Sequence, residues 1–415
     1  MSSPTSGYRT ADAPTGAELS TCVQCGLCLP HCPTFRLTGK ESASPRGRLM
    51  AMSAVLEGIV PVDEAFDEVI SFCLGCRACE AVCPGLVPYG RVLEGARAEL
   101  AVQRPSAARS VRRAVLGRMV ASRPAVAVAG AGAGTARALH LDRWLPHPLR
   151  QGLAGMRPLR NRGPSWVGRV VEPAGEAIGT AALLAGCVMD AWFRPVHDAT
   201  VGLLRRAGYR VEVPATQTCC GALAAHDGSA AEARRLARSN ARVFAGYDLV
   251  VSNAAGCTAH LKEYGHWAGP EGSGVASKVE DVTETVARLI AEGRLPTLDL
   301  DLGPVAVQDP CHLRHAQRIV AQPRAILTAA GYRPVEIDPD GLCCGAAGTY
   351  SVLQPEASDE LGRWKAEQVR SSHSTVVASA NPGCEMQLRA HLDAGHRVAH
   401  PVELYWEALT RWGAP

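Results

Sequence analysis

Aromatic residues are scarce in this 415-residue chain, at 5% Phe, Trp and Tyr, and no apolar run approaches a membrane span. The longest weakly apolar stretch, residues 124–136, is built mostly from Ala, Val and Gly. The opening Met-Ser-Ser-Pro-Thr-Ser-Gly-Tyr-Arg-Thr has no apolar signal-peptide core, so a reducing cytoplasm is the expected compartment. A net charge of +3 is too small to draw the whole chain to nucleic acid or lipid. P-loop, H-E-x-x-H and G-x-S-x-G patterns are missing. The stretch Gly130-Ala-Gly132-Ala-Gly134-Thr135 resembles a dinucleotide loop, but Thr135 stands where the third glycine belongs and no βαβ unit surrounds it. The chain therefore shows no site for a flavin or a nicotinamide, the groups that take up a hydride.

Cysteine, by contrast, is abundant: there are sixteen. Cys22-Val-Gln-Cys25-Gly-Leu-Cys28-Leu-Pro-His-Cys32-Pro33 and Cys73-Leu-Gly-Cys76-Arg-Ala-Cys79-Glu-Ala-Val-Cys83-Pro84 both read C-x2-C-x2-C-x3-C-P. That spacing belongs to bacterial 4Fe–4S ligation. Three thiolates on one short loop reach three corners of a cubane, and the fourth Cys serves the other cluster. One [4Fe-4S] cluster is then expected on Cys22, Cys25, Cys28 and Cys83, and the other on Cys73, Cys76, Cys79 and Cys32. Zinc sites typically split their ligands into two separated pairs, so a zinc framework is the weaker reading.

The expected fold is α plus α/β. Residues 1–20 read as a flexible tail and 21–102 as an α-helical two-cluster ferredoxin module, with helices after Ser44, over 62–72 and over 87–102. Residues 103–178 read as an Arg-rich helical linker. Between Ala101 and Val170 there are thirteen Arg, no Lys and a single acid, Asp142. Such a block is either a solvated face or a docking segment for an acidic partner or an anionic membrane surface.

Beyond residue 179 the chain repeats itself, giving two duplicated α/β cysteine-rich domains over 179–300 and 301–415. Cys187, Cys219, Cys220 and Cys257 recur as Cys311, Cys343, Cys344 and Cys384, displaced by 124, 124, 124 and 127 residues. Short β-branched strands alternate with helices such as 230–244 and 355–370, the pattern of a mainly parallel sheet whose strand ends lead into the cysteine loops. Four thiolates can satisfy a zinc ion, a cluster, or a dithiol/disulfide site. The two copies are chemically unequal, because Asp309 and His312 flank Cys311 while Ala185 and Val188 flank Cys187. His312 can serve as a ligand, a hydrogen-bond partner to sulfur, a proton carrier, or a core histidine.

Two ferredoxin-type runs followed by two Cys-Cys-Gly domains resemble the iron–sulfur subunit of bacterial glycolate oxidase. The resemblance includes Ser44-Pro-Arg-Gly-Arg48, Lys262-Glu-Tyr-Gly265 and Leu342-Cys-Cys-Gly-Ala-Ala-Gly-Thr-Tyr350. It implies an electron-transfer subunit whose FAD-binding partner subunits oxidise glycolate, with electrons passed towards membrane quinone and no role for nucleic acid. A peripheral position at the inner face of the cell membrane is part of that expectation. Similar architecture occurs in the iron–sulfur subunits of lactate and glycerol-3-phosphate dehydrogenases and in heterodisulfide-reductase subunits. The last of these typically add a cysteine three positions before the final one to hold a noncubane cluster. Here those positions are Ala254 and Asn381, a departure that weakens the disulfide-reductase alternative.

Overall fold

The computed structural model describes residues 6–114, 147–157 and 163–412, with a few positions between 128 and 144. Gly130, Ala131 and Ala133 of the glycine-rich stretch and much of the Arg-rich segment lie outside the described residues.

The N-terminal module is helical, with helices Pro33–Thr38, Pro45–Leu56, Glu64–Ser71, Ala78–Ala81 and Tyr89–Gln103. Local chemistry starts them. Ser44 accepts a hydrogen bond from the Gly47 amide while Pro45 fills the first helical turn. Asp63 accepts from the Phe66 amide at the head of Glu64–Ser71. Met52, Val55, Phe66, Ile70, Val92, Leu93 and Leu100 close a core around which both cysteine runs are wrapped. Each of these large side chains contributes about 1.5–3 kcal/mol on burial.

The expected flexible tail is corrected from Ser6 onward. The Arg9 and Thr10 amides donate to the fully buried carboxylate of Glu99, at 3.0 and 2.5 Å. Tyr8 Oη donates to the Met52 carbonyl, and Thr15 and Glu18 form a reciprocal cap on Gly16–Ser20, which buries Leu19. A polar sequence is held by buried hydrogen bonds where it has little apolar surface to offer.

Two sheets follow. Strands β1 (Val170–Val171), β2 (Gly179–Leu184), β3 (Tyr209–Glu212), β4 (Leu249–Ser252) and β5 (Val279–Asp281) lie in the order β1-β3-β2-β4-β5. Strands β6 (Gly303–Gln308), β7 (Tyr332–Glu336), β8 (Val376–Ser379) and β9 (Arg397–Ala399) lie in the order β7-β6-β8-β9. All neighbours are parallel except β1, which runs antiparallel along the outer edge of β3. Ala182 opposes Val250 in the first sheet as Ala306 opposes Val377 in the second, so the duplication extends to the pairing. Among the described residues no strand covers β7 as β1 covers β3.

The two repeats share a core. Ile326, Val402, Tyr405 and Leu409 of the second pack with Val196, Leu203, Val286 and Leu289 of the first. Gly202 admits this contact, because a Cβ there would lie 2.4 Å from the Trp406 ring. Several linker arginines point inward. Arg109 pairs with Asp67 at 2.6 Å. Arg157 bridges buried Glu385 and Glu403 at 2.6 and 2.8 Å while lying over the Phe193 ring. For these two residues neither solvation nor a docking role applies.

Candidate metal and redox centre

Cys22, Cys25, Cys28 and Cys83 line one small cavity of about 30 Å3, with Cys79 at its inner wall. Cys32, Cys73, Cys76 and Cys79 line a second, of about 10 Å3. The first run thus contributes three thiols to one cavity and Cys32 to the other, while the second contributes three to the second cavity and Cys83 to the first, with Cys79 lining both. Pro33 opens a helix directly after Cys32 and carries the chain away from the first loop. Gln24, Gly26, Gly75 and Arg77 take left-handed backbone angles that fold the cysteine loops back on themselves. Gly75 N donates to Cys73 Sγ at 3.4 Å.

The cavities differ in depth. Cys25 is exposed and Cys22, Cys28 and Cys83 are half-buried, whereas all four thiols of the second cavity are buried. Burial pushes the Cys76 and Cys79 thiols well above their ordinary range, and neighbouring sulfurs add to the shift. Two such neighbours ionise together only if a cationic centre takes up their charge.

Arg48 gives an independent sign of what belongs there. Its side chain is fully buried, yet its partners are the Val69 carbonyl, Thr34 Oγ1 and Cys32 Sγ, with no carboxylate. Burial opposes its charge, but Cys73, Tyr89 and Cys32 hold the guanidinium above its usual value. A buried cation whose charged neighbours are thiols and a phenol, and whose other partners are neutral oxygens, fits an anionic thiolate-bound cluster as its counter-ion. The donor set and its surroundings suit a cubane at both positions.

The eight cysteines of the repeats all line a single larger cavity of about 660 Å3 between the two sheets and the N-terminal module. Cys187 and Cys311 follow the central strands β2 and β6, the Cys-Cys-Gly loops follow β3 and β7, and Cys257 and Cys384 follow β4 and β8. Gly221 and Gly345 adopt left-handed angles, and a Cβ at Gly345 would stand 2.7 Å from the Ser358 carbonyl. Hydrogen bonds between neighbouring sulfurs polarise each row. Cys219, Cys311 and Cys344 are pushed down, while Cys187, Cys220, Cys343 and Cys384 are pushed up.

The repeats keep different company. Cys76 and Leu74, from the second cysteine loop, pack in one buried cluster with Cys343, Cys311 and Tyr350. Cys187, Cys219 and Cys220 pack only within the first repeat. His312 Nδ1 lies 3.6 Å from Cys311 Sγ, which makes it a hydrogen-bond partner to sulfur, and its ring lies tilted against His226 with centroids 5.4 Å apart. His226 in turn contacts Glu94 at 2.9 Å. Asp309 pairs with Arg314 and Arg324 and turns away from the thiols.

The profile of the 4Fe-4S dicluster domain matches residues 18–87, and that of the cysteine-rich domain matches 181–262 and 305–389. The probable glycolate oxidase iron-sulfur subunit of Bacillus subtilis is 34% identical, covering 94% of each chain. The glycolate oxidase iron-sulfur subunit of Escherichia coli is 31% identical over 95% of each. The chain belongs to the glycolate oxidase iron–sulfur subunit family. A lactate utilization protein A from Oceanobacillus iheyensis is 29% identical over 50% of this chain and 87% of its own length.

Within this family member, Arg48, Tyr89 and Arg77 are site residues that sequence reasoning left unassigned. Tyr89 Oη lies 3.7 Å from Cys73 Sγ. Arg77, between Cys76 and Cys79, pairs with Glu80 at 2.7 Å and with Glu263 of the first repeat. The only signal for Arg48 was its place in Ser44-Pro-Arg-Gly-Arg48, which reads as a helix start.

Proposed function

We propose that this chain is the electron-transfer iron–sulfur subunit of a flavin-dependent 2-hydroxy-acid dehydrogenase, with glycolate as substrate. Cys22, Cys25, Cys28 and Cys83 hold one [4Fe-4S] cluster, and Cys73, Cys76, Cys79 and Cys32 hold the other. Such clusters pass one electron at a time, so the two-electron oxidation of the alcohol carbon belongs to an FAD-binding partner subunit. The observation that carries this reading is the graded burial of the two cysteine cavities. The first opens at the surface and the second is sealed inside, against the thiols of repeat two. An electron entering from a partner at Cys25 has a protein-lined route inward towards a quinone or another acceptor.

The chain's own residues hold this route in place. Arg48 supplies the buried positive charge beside the second cluster, and Tyr89 and Gly75 direct hydrogens at Cys73. Arg77 ties the second loop to repeat one. Among the described residues no helix is long and apolar enough to cross a membrane, so contact with a quinone pool calls for a peripheral site or a partner subunit.

Lactate is the second substrate to test, because the lactate utilization protein of Oceanobacillus iheyensis matches half of this chain. Anaerobic purification from the native cells tests both. The expected outcome is a co-purifying flavoprotein, about eight iron per chain in the two cubanes, and cluster bleaching by glycolate faster than by lactate. A preparation containing no flavoprotein overturns the reading, and faster bleaching by lactate reassigns the substrate.

A further inference from the structure

In the second repeat Cys344 Sγ and Cys384 Sγ stand 3.1 Å apart. A disulfide needs about 2.05 Å. The observed contact is about 1 Å longer than a covalent bond. Both sulfurs line the 660 Å3 cavity, and Asn381 Nδ2 donates to Cys384 Sγ at 3.5 Å. On the inner side Cys343 packs with Cys311 and with Cys76 of the second cluster loop.

We infer that Cys344 and Cys384 form a reversible dithiol/disulfide couple wired to the second cluster. The inference rests on the reading that Cys32, Cys73, Cys76 and Cys79 hold that cluster. Reduction breaks the Sγ–Sγ bond and consumes two electrons and two protons, giving two thiols. The electrons arrive singly from the cluster past Cys76 and Cys343, and the protons come from solvent in the cavity. Oxidation reverses each step. The couple thereby stores the pair of electrons that a flavin releases, behind clusters that conduct only one at a time. A small-molecule oxidant entering the cavity meets a two-electron donor.

The native complex tests this after anaerobic purification. It is equilibrated with graded ratios of reduced to oxidised dithiothreitol, blocked with iodoacetamide, digested and read by mass spectrometry. The expected result is a peptide joining Cys344 to Cys384 at oxidising ratios, about 2 Da lighter than the two thiol peptides together, and both cysteines alkylated at reducing ratios. Cys384→Ser and Cys344→Ser should each lower the reductive titration by about two electrons per chain while leaving the iron content unchanged. Absence of the joined peptide at every ratio overturns the inference. So does a loss of iron in Cys384→Ser, which identifies a cluster ligand. A complex that shows the joined peptide but contains no flavoprotein counts against the proposed function and leaves the couple standing.

Discussion

The two cysteine-rich repeats place the same strands in the same order, yet their chemistry diverges wherever a side chain meets something outside its own sheet. At the end of β5 Asp281 is fully buried, and burial raises its carboxyl to about 6. At the matching end of β9 His400 is buried, and burial lowers its imidazole to about 3. Burial disfavours charge of either sign at this position, which raises the acid of one repeat and lowers the base of the other. The thiols differ in a parallel way, since only those of repeat two abut the second cluster loop. Duplication copied the frame, and contacts between domains set the two repeats apart.

The largest expected difference between the repeats is kinetic. Cys343→Ser should slow reoxidation of the second cluster by about tenfold or more, whereas Cys219→Ser should leave that step nearly unchanged. Stopped-flow bleaching measures both, and equal effects would place both repeats on the electron route. Next comes stability. Arg157→Met strands two buried carboxylates on repeat two and should cost about 3–5 kcal/mol in denaturant unfolding. A cost below about 1 kcal/mol would mean that Glu385 and Glu403 take up protons or water in place of the arginine.

The third difference is in pH response. Asp281 has a folded pKa raised above its unfolded value, so stability is lost as pH rises from about 4 through about 6. His400 has a depressed folded pKa, so its contribution is complete above about 6.5 and is lost as pH falls towards 3. Hydrogen exchange read separately over each sheet should show opposite slopes between pH 4 and 6. Asp281→Asn should flatten the first and His400→Gln the second. The smallest expected effect concerns the clusters. Arg48→Met should lower the reduction potential of the buried cluster more than Arg46→Met lowers that of the surface cluster, because Arg46 is only half-buried and already paired with Glu41 at 2.7 Å. Equal shifts would remove the distinction in depth.

Much of this was legible in the sequence because it is local. The spacing of Cys22–Cys32 and Cys73–Cys83 dictates which thiols share a loop, and the constant 124-residue displacement of three cysteines declares the duplication. Helices Ala230–Phe244 and Pro355–Ser371 follow from periodicity and a proline start. What escaped notice depends on partners far along the chain. Glu99 gave no hint that it would hold Arg9 and Thr10, about ninety residues away. Arg157 is one of thirteen similar arginines until Glu385 and Glu403 converge on it. The meeting of eight thiols in one cavity requires the packing of both repeats against the N-terminal module, which no window of sequence contains.

The uncovered strand β7 has a consequence for how the chain survives its own synthesis. Parallel sheets form slowly, because their neighbours are distant in sequence, and an open edge invites pairing with another molecule meanwhile. On the first sheet β1 occupies that edge. On the second, β7 carries Pro334 in mid-strand, with Arg333 before it and Glu336 at the strand's end. Proline withholds an amide and the charges resist stacking, so β7 is a poor template for a growing aggregate. Pro334→Val should restore the missing donor and, with no change to any thiol, make refolding yield fall steeply with protein concentration.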